Sequence, residues 1–128
     1  MYEYNAKIVD VYDGDTFTFI VDLGFSISVK EKLRLYGVNT PELRGSEREF
    51  GKKVRDFVRQ QILNKQVRIQ VYKKGKFGRY VASVKYKDGE VLMDLGQLLL
   101  AKGYAKEFMK DTIWIELISK YSIQININ

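Results

Sequence analysis

The sequence contains no cysteine and no histidine, and it has a single proline among its 128 residues. Without cysteine the chain has no disulfide, thiol nucleophile or cysteine-based zinc site, and without histidine it has no Ser-His-Asp triad and no imidazole metal ligand. No apolar run approaches the ~20 residues of a membrane span. Any acid, base or metal ligand must therefore be a carboxylate, an amide, a hydroxyl, a lysine, an arginine or a tyrosine.

The composition is that of a folded chain, with 45% apolar and 30% charged residues. Its length favours one domain, which we expect to span residues 1–128, with an atypical C-terminal segment at 107–128. The N-terminal residues lack a signal-peptide pattern. We therefore expect the chain as given to be cytoplasmic, or secreted if a leader has been removed. We separately expect a monomer that does not bind membranes.

The charge is distributed unevenly along the chain. Lysine and arginine total 22 against 16 acids, and residues 52–87 hold twelve basic residues and one acid, Asp56. Aromatic residues, among them Tyr72 and Tyr80, are interleaved with these cations. Cations bind phosphates and aromatic rings stack on bases, so the pattern favours a nucleic-acid partner, preferably single-stranded. An ordinary solvated face is the plainer alternative.

Alternating β-rich runs separated by turns predict five strands. An Asp-Gly turn at Asp13-Gly14 separates the first two of them. The predicted strands are Ala6–Tyr12, Thr16–Val21, Ser26–Tyr36, Val67–Tyr72 and Tyr80–Tyr86.

Two or three helices accompany these strands. Ser46 and Glu49 form an S-x-x-E capping box, which predicts a helix over Glu47–Leu63. Asp94 is predicted to cap a short second helix, and a third is predicted over Thr112–Tyr121. The order of elements predicts a β-rich α+β fold, a five-stranded Greek-key barrel of the OB-fold type with two to three helices.

Three short segments contain residues able to do chemistry, although each also has a plainer interpretation. The segment Asp13–Thr16 is a hairpin turn that could also direct a carboxylate at a hard cation such as calcium. Arg34 precedes the loop segment Asn39–Glu42, where Glu42 could act as a general base and Arg34 could stabilise phosphoryl oxygens. The segment Lys76–Arg79 is a basic loop whose arginine fork matches phosphate geometry.

Together these segments resemble the staphylococcal nuclease (thermonuclease-like) family. The matching motifs are DGDT at Asp13–Thr16, RLYGVNTPE at Arg34–Glu42, KFGR at Lys76–Arg79 and LGQLLLAKGYAK at Leu95–Lys106. The resemblance extends from about Ala6 to Lys106. It implies an OB-fold endonuclease that uses calcium to hydrolyse phosphodiester bonds of DNA and RNA with little sequence specificity, giving 3′-phosphate and 5′-hydroxyl ends.

The resemblance also implies roles for individual residues. Asp15 matches the metal-binding aspartate, and Thr40 matches the residue whose backbone carbonyl binds calcium. Arg34 and Arg79 match the two catalytic arginines, and Glu42 matches the proposed general base.

Two positions depart from the family pattern within the motifs. Asn39 stands where an aspartate commonly supplies the second metal carboxylate, so we expect the amide oxygen to bind calcium more weakly. Phe77 stands where a tyrosine is more frequent. We expect Lys76, Phe77 and Tyr80 to bind substrate, the lysine through phosphate and the rings through stacking.

A second hypothesis is an OB-fold module that binds single-stranded nucleic acid with little or no catalysis. Asn39 favours this alternative. The joint presence of Asp15, Arg34, Glu42 and Arg79 favours the enzyme.

Overall fold

A computed structural model describes residues 2–75 and 78–107, which form eight strands, one 3-10 turn and two α-helices. The strands are β1 (Tyr2–Asp13), β2 (Thr16–Gly24), β3 (Ile27–Leu35), β4 (Val38–Asn39), β5 (Gln66–Lys74), β6 (Tyr80–Asp88), β7 (Val91–Asp94) and β8 (Lys106–Glu107). The helical segments are the 3-10 turn Gly45–Glu47, α1 (Arg48–Ile62) and α2 (Leu95–Ala101). The predicted helix Thr112–Tyr121 and the predicted site residues Lys76 and Phe77 lie outside the described residues.

Five of the strands form a closed ring, which confirms the predicted OB-fold-like barrel. The sheet order is β3-β2-β1-β5-β6-β7, and the neighbours in this order run antiparallel. A parallel contact of Leu33–Leu35 on β3 with residues 80–82 on β6 closes the ring. Strand β7 extends β6 as a hairpin outside this ring. The closure brings the end of β3 beside the start of β6.

The barrel interior is filled by alternate residues of these strands. On β2, Phe17, Phe19 and Val21 are buried, whereas Thr16 and Thr18 are half-exposed on the outer face. This period of two is the pattern of a strand with one buried face. The outer face is consequently the polar one.

Helix α1 covers one end of the barrel through Val54, Val58 and Ile62, which are fully buried. It begins at Arg48, one residue after the predicted start, because the 3-10 turn occupies Gly45–Glu47 and Glu47 is the N-cap of α1. The Glu47 carboxylate accepts a hydrogen bond from the backbone N–H of Glu42 at 2.8 Å. The predicted Ser46–Glu49 capping box is therefore wrong, and a contact with a neighbouring loop takes its place.

The second helix begins as predicted, since the Asp94 side chain accepts a hydrogen bond from the backbone N–H of Gln97 at 3.1 Å. After α2 the chain returns to β4, where Val38 pairs with Glu107 and Asn39 pairs with Lys106. This short ladder was not predicted. Neither helix in the described ranges is long and apolar enough to span a bilayer.

Candidate functional site

The turn between β1 and β2 buries the carboxylate of Asp15. The Asp13 side chain accepts a hydrogen bond from the backbone N–H of Asp15 at 3.1 Å, an Asx arrangement that fixes the turn. Gly14 lies directly against Thr40, and a Cβ at Gly14 would stand 2.8 Å from three atoms of the Thr40 side chain. Glycine at this position therefore lets the turn pack closely on the loop that contains Thr40.

The Asp15 carboxylate has a charged or polar partner at each oxygen. Oδ2 accepts a hydrogen bond from the backbone N–H of Thr40 at 2.9 Å and lies 3.3 Å from Nη1 of Arg34. Oδ1 accepts a hydrogen bond from the Thr16 hydroxyl at 3.2 Å. Burying a carboxylate is costly unless it is paired and hydrogen-bonded, and this one is both.

Arg34 connects the end of β3 to the following loop. Its Nη1 donates to the backbone carbonyls of Leu35 at 3.0 Å and Val38 at 2.8 Å. Its Nη2 donates to Oδ1 of Asn39 at 3.3 Å. The planar fork of the guanidinium can satisfy several acceptors at once, which a lysine ammonium in this place could not reproduce.

Asn39 and Thr40 adjoin the same group of side chains. Asn39 is exposed at the end of β4, whereas Thr40 is buried. Within the described residues, the buried hydroxyl oxygen of Thr40 has no hydrogen-bond partner. The structure thus brings together four of the predicted site residues, Asp15, Arg34, Asn39 and Thr40.

Glu42 is close in sequence to this group, but its carboxylate is directed elsewhere. Oε2 accepts a hydrogen bond from Nε of Arg44 at 3.1 Å, and both side chains are largely exposed. The Glu42 backbone is held more firmly, because its N–H donates to the Glu47 carboxylate, and it packs so closely on α1 that a Cβ at Gly51 would collide with its carbonyl oxygen. The backbone position of Glu42 is fixed by packing, while its side chain is held by an exposed ion pair.

Arg79 lies immediately before β6, at the closure of the barrel. Its backbone carbonyl accepts a hydrogen bond from the N–H of Gly75 at 2.6 Å. Its half-buried side chain lines an outer-face groove of about 490 Å³ together with Thr16 and Lys32. Since Thr16 pairs with Arg34 across β2 and β3, this groove adjoins the Asp15–Arg34 pair.

Tyr80, the first residue of β6, lies on the inner face of the barrel and not beside Arg79. Its ring packs edge-on against Phe19 of the barrel interior, with the centroids 6.4 Å apart, and Nζ of Lys74 lies 5.4 Å from the Tyr80 centroid. Tyr80 and Phe19 line an apolar pocket of about 220 Å³ rather than the groove beside Arg79. Substrate binding by Tyr80 stays a prediction.

Burial and a neighbouring carboxylate raise the pKa of one acid in the turn. Burial, followed by the nearby charge of Asp15, raises the pKa of Asp13 to about 6 from 3.8. The Asp15 backbone N–H and the Thr16 hydroxyl oppose this shift by stabilising the ionised form. A cation near the turn would favour ionisation of Asp13.

The donor set fits a hard cation that keeps part of its hydration. Residues 2–75 and 78–107 contain no cluster of three His, Cys, Asp or Glu side chains placed to hold a metal ion. The oxygen donors of suitable chemistry are the carbonyl of Thr40, the carboxylate of Asp15 and the amide oxygen of Asn39, and the last two now contact Arg34. Calcium takes six to eight oxygen ligands and accepts carbonyls, amides and waters among them. With one carboxylate in the set, we expect binding to be weak.

Three residues that shape the site were not among the predicted site residues. Gly14 and Gly51 permit close approach of the turn and of α1 to the loop at Thr40–Glu42, and Glu47 accepts the Glu42 N–H. A glycine inside a helix costs about 1 kcal/mol relative to alanine, so Gly51 carried a signal that this helix packs closely on a backbone. Glu47 carried no comparable signal.

The sequence is similar to a known protein family and to several individual proteins. Residues 32–120 match the family described as Staphylococcal nuclease homologue. An uncharacterized protein of Methanocaldococcus jannaschii is 30% identical over 131 residues, covering 84% of this chain and 61% of its own. A probable endonuclease of Leptosphaeria maculans is 32% identical, covering 61% of this chain and 27% of its own. The thermonuclease of Staphylococcus hyicus is 34% identical, covering 64% and 48% respectively.

The chain spans less than two thirds of the length of each of these three relatives. The family match nevertheless covers more than half of the present chain and includes Arg34, Glu42 and Arg79. On this basis the chain belongs to the staphylococcal nuclease homologue family.

Proposed function

We propose that this protein is a calcium-dependent nuclease that hydrolyses phosphodiester bonds of DNA and RNA with little sequence specificity. The observation that carries the proposal is the buried carboxylate of Asp15, which contacts both Arg34 and the backbone of Thr40. A buried charge tied to two loops is costly to build, and such groups concentrate at functional sites. Two of the relatives named above are called a thermonuclease and a probable endonuclease.

Arg34 and Arg79 would bind the phosphoryl group. Guanidinium forks match phosphate oxygens bidentately, and fixed positive charge stabilises the negative charge that develops on the equatorial oxygens during displacement. Arg34 is held in place by its contacts with Leu35 and Val38, so it needs little reorganisation when the substrate arrives. Arg79 would approach the same phosphate from the opposite side of the barrel closure.

Asp15, Asn39 and the Thr40 carbonyl would hold the calcium ion. When bound, a divalent ion supplies Lewis-acid polarisation of a phosphoryl oxygen. The exposed position of Asn39 leaves this side of the group accessible from solvent, and the bonds of Asp15 keep its carboxylate oriented.

Glu42 would accept a proton from the attacking water or position that water. In the described structure its carboxylate pairs with Arg44 instead. An exposed ion pair contributes about 0–1 kcal/mol to stability, so the Glu42 side chain can change rotamer at a small cost in free energy. Its backbone can meanwhile keep its hydrogen bond to Glu47 and its close contact with Gly51. Glu42 would therefore need to turn away from Arg44 when substrate binds.

Lys76, Phe77 and Tyr80 would extend substrate contacts beyond the scissile phosphate. A lysine contacts phosphate and an aromatic ring stacks on any base, so these residues bind without reading sequence. From the family resemblance we propose products with 3′-phosphate and 5′-hydroxyl ends, and a preference for single-stranded or denatured substrate.

A second candidate function is binding of single-stranded nucleic acid without efficient cleavage. It is favoured by the pairing of Glu42 with Arg44 and by an amide at Asn39 in place of a second carboxylate. As a result, the described part of the site has one carboxylate, that of Asp15, and it keeps both arginines, Arg34 and Arg79.

Cleavage of heat-denatured DNA distinguishes the two functions. The wild type, Glu42→Gln and the control Glu90→Gln, which changes an exposed carboxylate on the β6–β7 turn, are compared in millimolar calcium and in EDTA. The nuclease predicts degradation in calcium, none in EDTA, a steep loss in Glu42→Gln and no change in Glu90→Gln. Binding without cleavage in any divalent cation would establish the second function instead.

A further inference from the structure

Strand β3 presents a row of three cations on the outer face of the barrel. Lys30, Lys32 and Arg34 alternate along the strand with residues that include the buried Leu33 and Leu35. Lys30 and Lys32 are exposed, and Arg34 is half-buried beside Asp15. The row therefore begins at the candidate site and leads away from it along one strand.

The row adjoins the groove that contains Arg79. Across β2, Thr18 is paired with Lys32 and Thr16 is paired with Arg34. Thr16, Thr18, Lys32, Arg79 and Tyr12 all line this groove of about 490 Å³. Tyr12 is 65% exposed, so its ring is available as a surface at the rim of the groove.

We propose that a single-stranded nucleic acid lies along β3, with consecutive phosphates at Arg34, Lys32 and Lys30 and a base stacked on Tyr12. This inference rests on the proposed function and adds to it the path of the substrate. Residues two apart on one strand face lie about 6.5 to 7 Å apart, a separation comparable with that of neighbouring phosphates in an extended strand. The threonine hydroxyls beside the row can donate to the same phosphates.

Asp10 defines the other side of this path. It lines the groove on β1 and pairs with Thr18, which places it across β2 from Lys32. A carboxylate there repels a polyanion from the β1 side and leaves the β3 side attractive. At the level of Lys32, the cation on β3 and the anion on β1 therefore both place the nucleic acid on the β3 side of the groove.

The salt dependence of binding measures the number of phosphate contacts. Anisotropy of a labelled oligothymidylate is measured in EDTA, where cleavage does not occur, over a series of salt concentrations. Lys30→Gln and Lys32→Gln are each expected to reduce the slope of log K against log salt by about 0.7, the value for one phosphate contact on a single strand. The control Lys87→Gln removes an equal charge from the β6–β7 hairpin and should leave the slope unchanged.

The stacking contact has a different signature. Tyr12→Ala is expected to weaken binding roughly fivefold to a hundredfold at an unchanged slope, because a ring and not a charge is lost. Tyr12→Phe keeps the ring and should bind as the wild type does. Asp10→Asn should strengthen binding. An unchanged affinity in Tyr12→Ala would disprove the stacking contact.

Cleavage in calcium separates failure of this inference from failure of the proposed function. If the wild type binds and cleaves but Lys30→Gln and Lys32→Gln match Lys87→Gln in slope and in KM, the path along β3 is wrong and the nuclease stands. If the lysine variants lower the slope but the wild type does not cleave, the proposed path along β3 is supported and the proposed nuclease activity is disproved. A wild type that neither binds nor cleaves overturns both.

Discussion

The carboxylate of Asp15 accepts a hydrogen bond from the backbone N–H of Thr40 at 2.9 Å, although 25 residues separate them in the chain. This bond joins the β1–β2 turn to the loop after β4, and Arg34 connects the same turn to β4 itself through Asp15 and Val38. Asp15 and Arg34 consequently have both a structural and a proposed chemical role. Variants of the site therefore need stability measurements alongside activity.

Arg34→Lys should impair cleavage severely while keeping the charge. One ammonium cannot reproduce the guanidinium contacts with Leu35, Val38 and Asn39, nor a bidentate bond to phosphate. We expect the cleavage rate in saturating calcium to fall by about 10²-fold or more. Arg68→Lys, an exposed change on β5, is the matched control. Near-normal turnover in Arg34→Lys would contradict the assignment.

Asn39→Asp should strengthen calcium binding. The substitution adds a carboxylate where the amide oxygen now accepts a hydrogen bond from Arg34, and carboxylates are stronger calcium ligands than amides. We expect cleavage to reach half its maximum at a lower calcium concentration. Asn5→Asp is a suitable control because the Asn5 side chain also accepts from an arginine, Arg68, on an exposed part of the sheet. An unchanged calcium requirement in Asn39→Asp would refute the idea.

Gly51→Ala should destabilise the protein although alanine is the better helix former. The new methyl group would collide with the carbonyl of Glu42, and relieving it requires α1 or the loop to move. We expect a loss of about 1–3 kcal/mol in the free energy of unfolding, measured by denaturant titration. Gly96→Ala in α2 has its nearest neighbour at 3.4 Å and should be neutral or slightly stabilising. Equal stability of the two variants would argue against close packing at Gly51.

Asp13→Asn should stabilise the calcium-free protein at neutral pH. The folded-state pKa of Asp13 is raised from 3.8 to about 6, so the Asp13 contribution to stability is fully present below pH 4 and is lost as the pH rises towards 6. Asparagine keeps the acceptor for the Asp15 N–H and removes the charge. After allowance for solvent screening, we expect a gain of roughly 1–2 kcal/mol at pH 7 and none at pH 3. Chemical unfolding in EDTA at both pH values tests this, and a gain that is equal at both would contradict the cause.

The barrel was predictable from sequence because its strands and turns have local signals. The turn at Asp13–Thr16 follows from an Asp-Gly pair between β-rich runs, and the Asp94 cap involves a partner only three residues away. The β4–β8 ladder was not predictable, since two-residue strands carry no periodicity and their partners are distant in sequence. The Ser46–Glu49 capping box was wrong for a related reason, because the chain at the start of α1 is held instead by a contact of Glu47 with the Glu42 backbone.

The candidate site shows a similar division. The family resemblance named Asp15, Arg34, Asn39 and Thr40, and the structure places them in contact, but no periodicity in the sequence indicates that contact. The Glu42 carboxylate pairs with Arg44, two residues away, and this pairing depends on the rotamers of both side chains, which the sequence does not indicate. Tyr80 lies on the inner face of β6, against Phe19. The sequence does not indicate which face the first residue of a strand occupies when that strand begins beside a loop.

The closure between β3 and β6 also determines when the site comes into existence during folding. Hairpins such as β1–β2 form within about 1–10 μs, whereas contacts between distant segments wait for a long loop to close. Arg34 lies on one side of this contact between distant segments, and Arg79 immediately precedes the strand on the other. A chain still emerging from the ribosome presents Asp15 and Arg34 without Arg79. The proposed activity would therefore belong to the finished barrel alone.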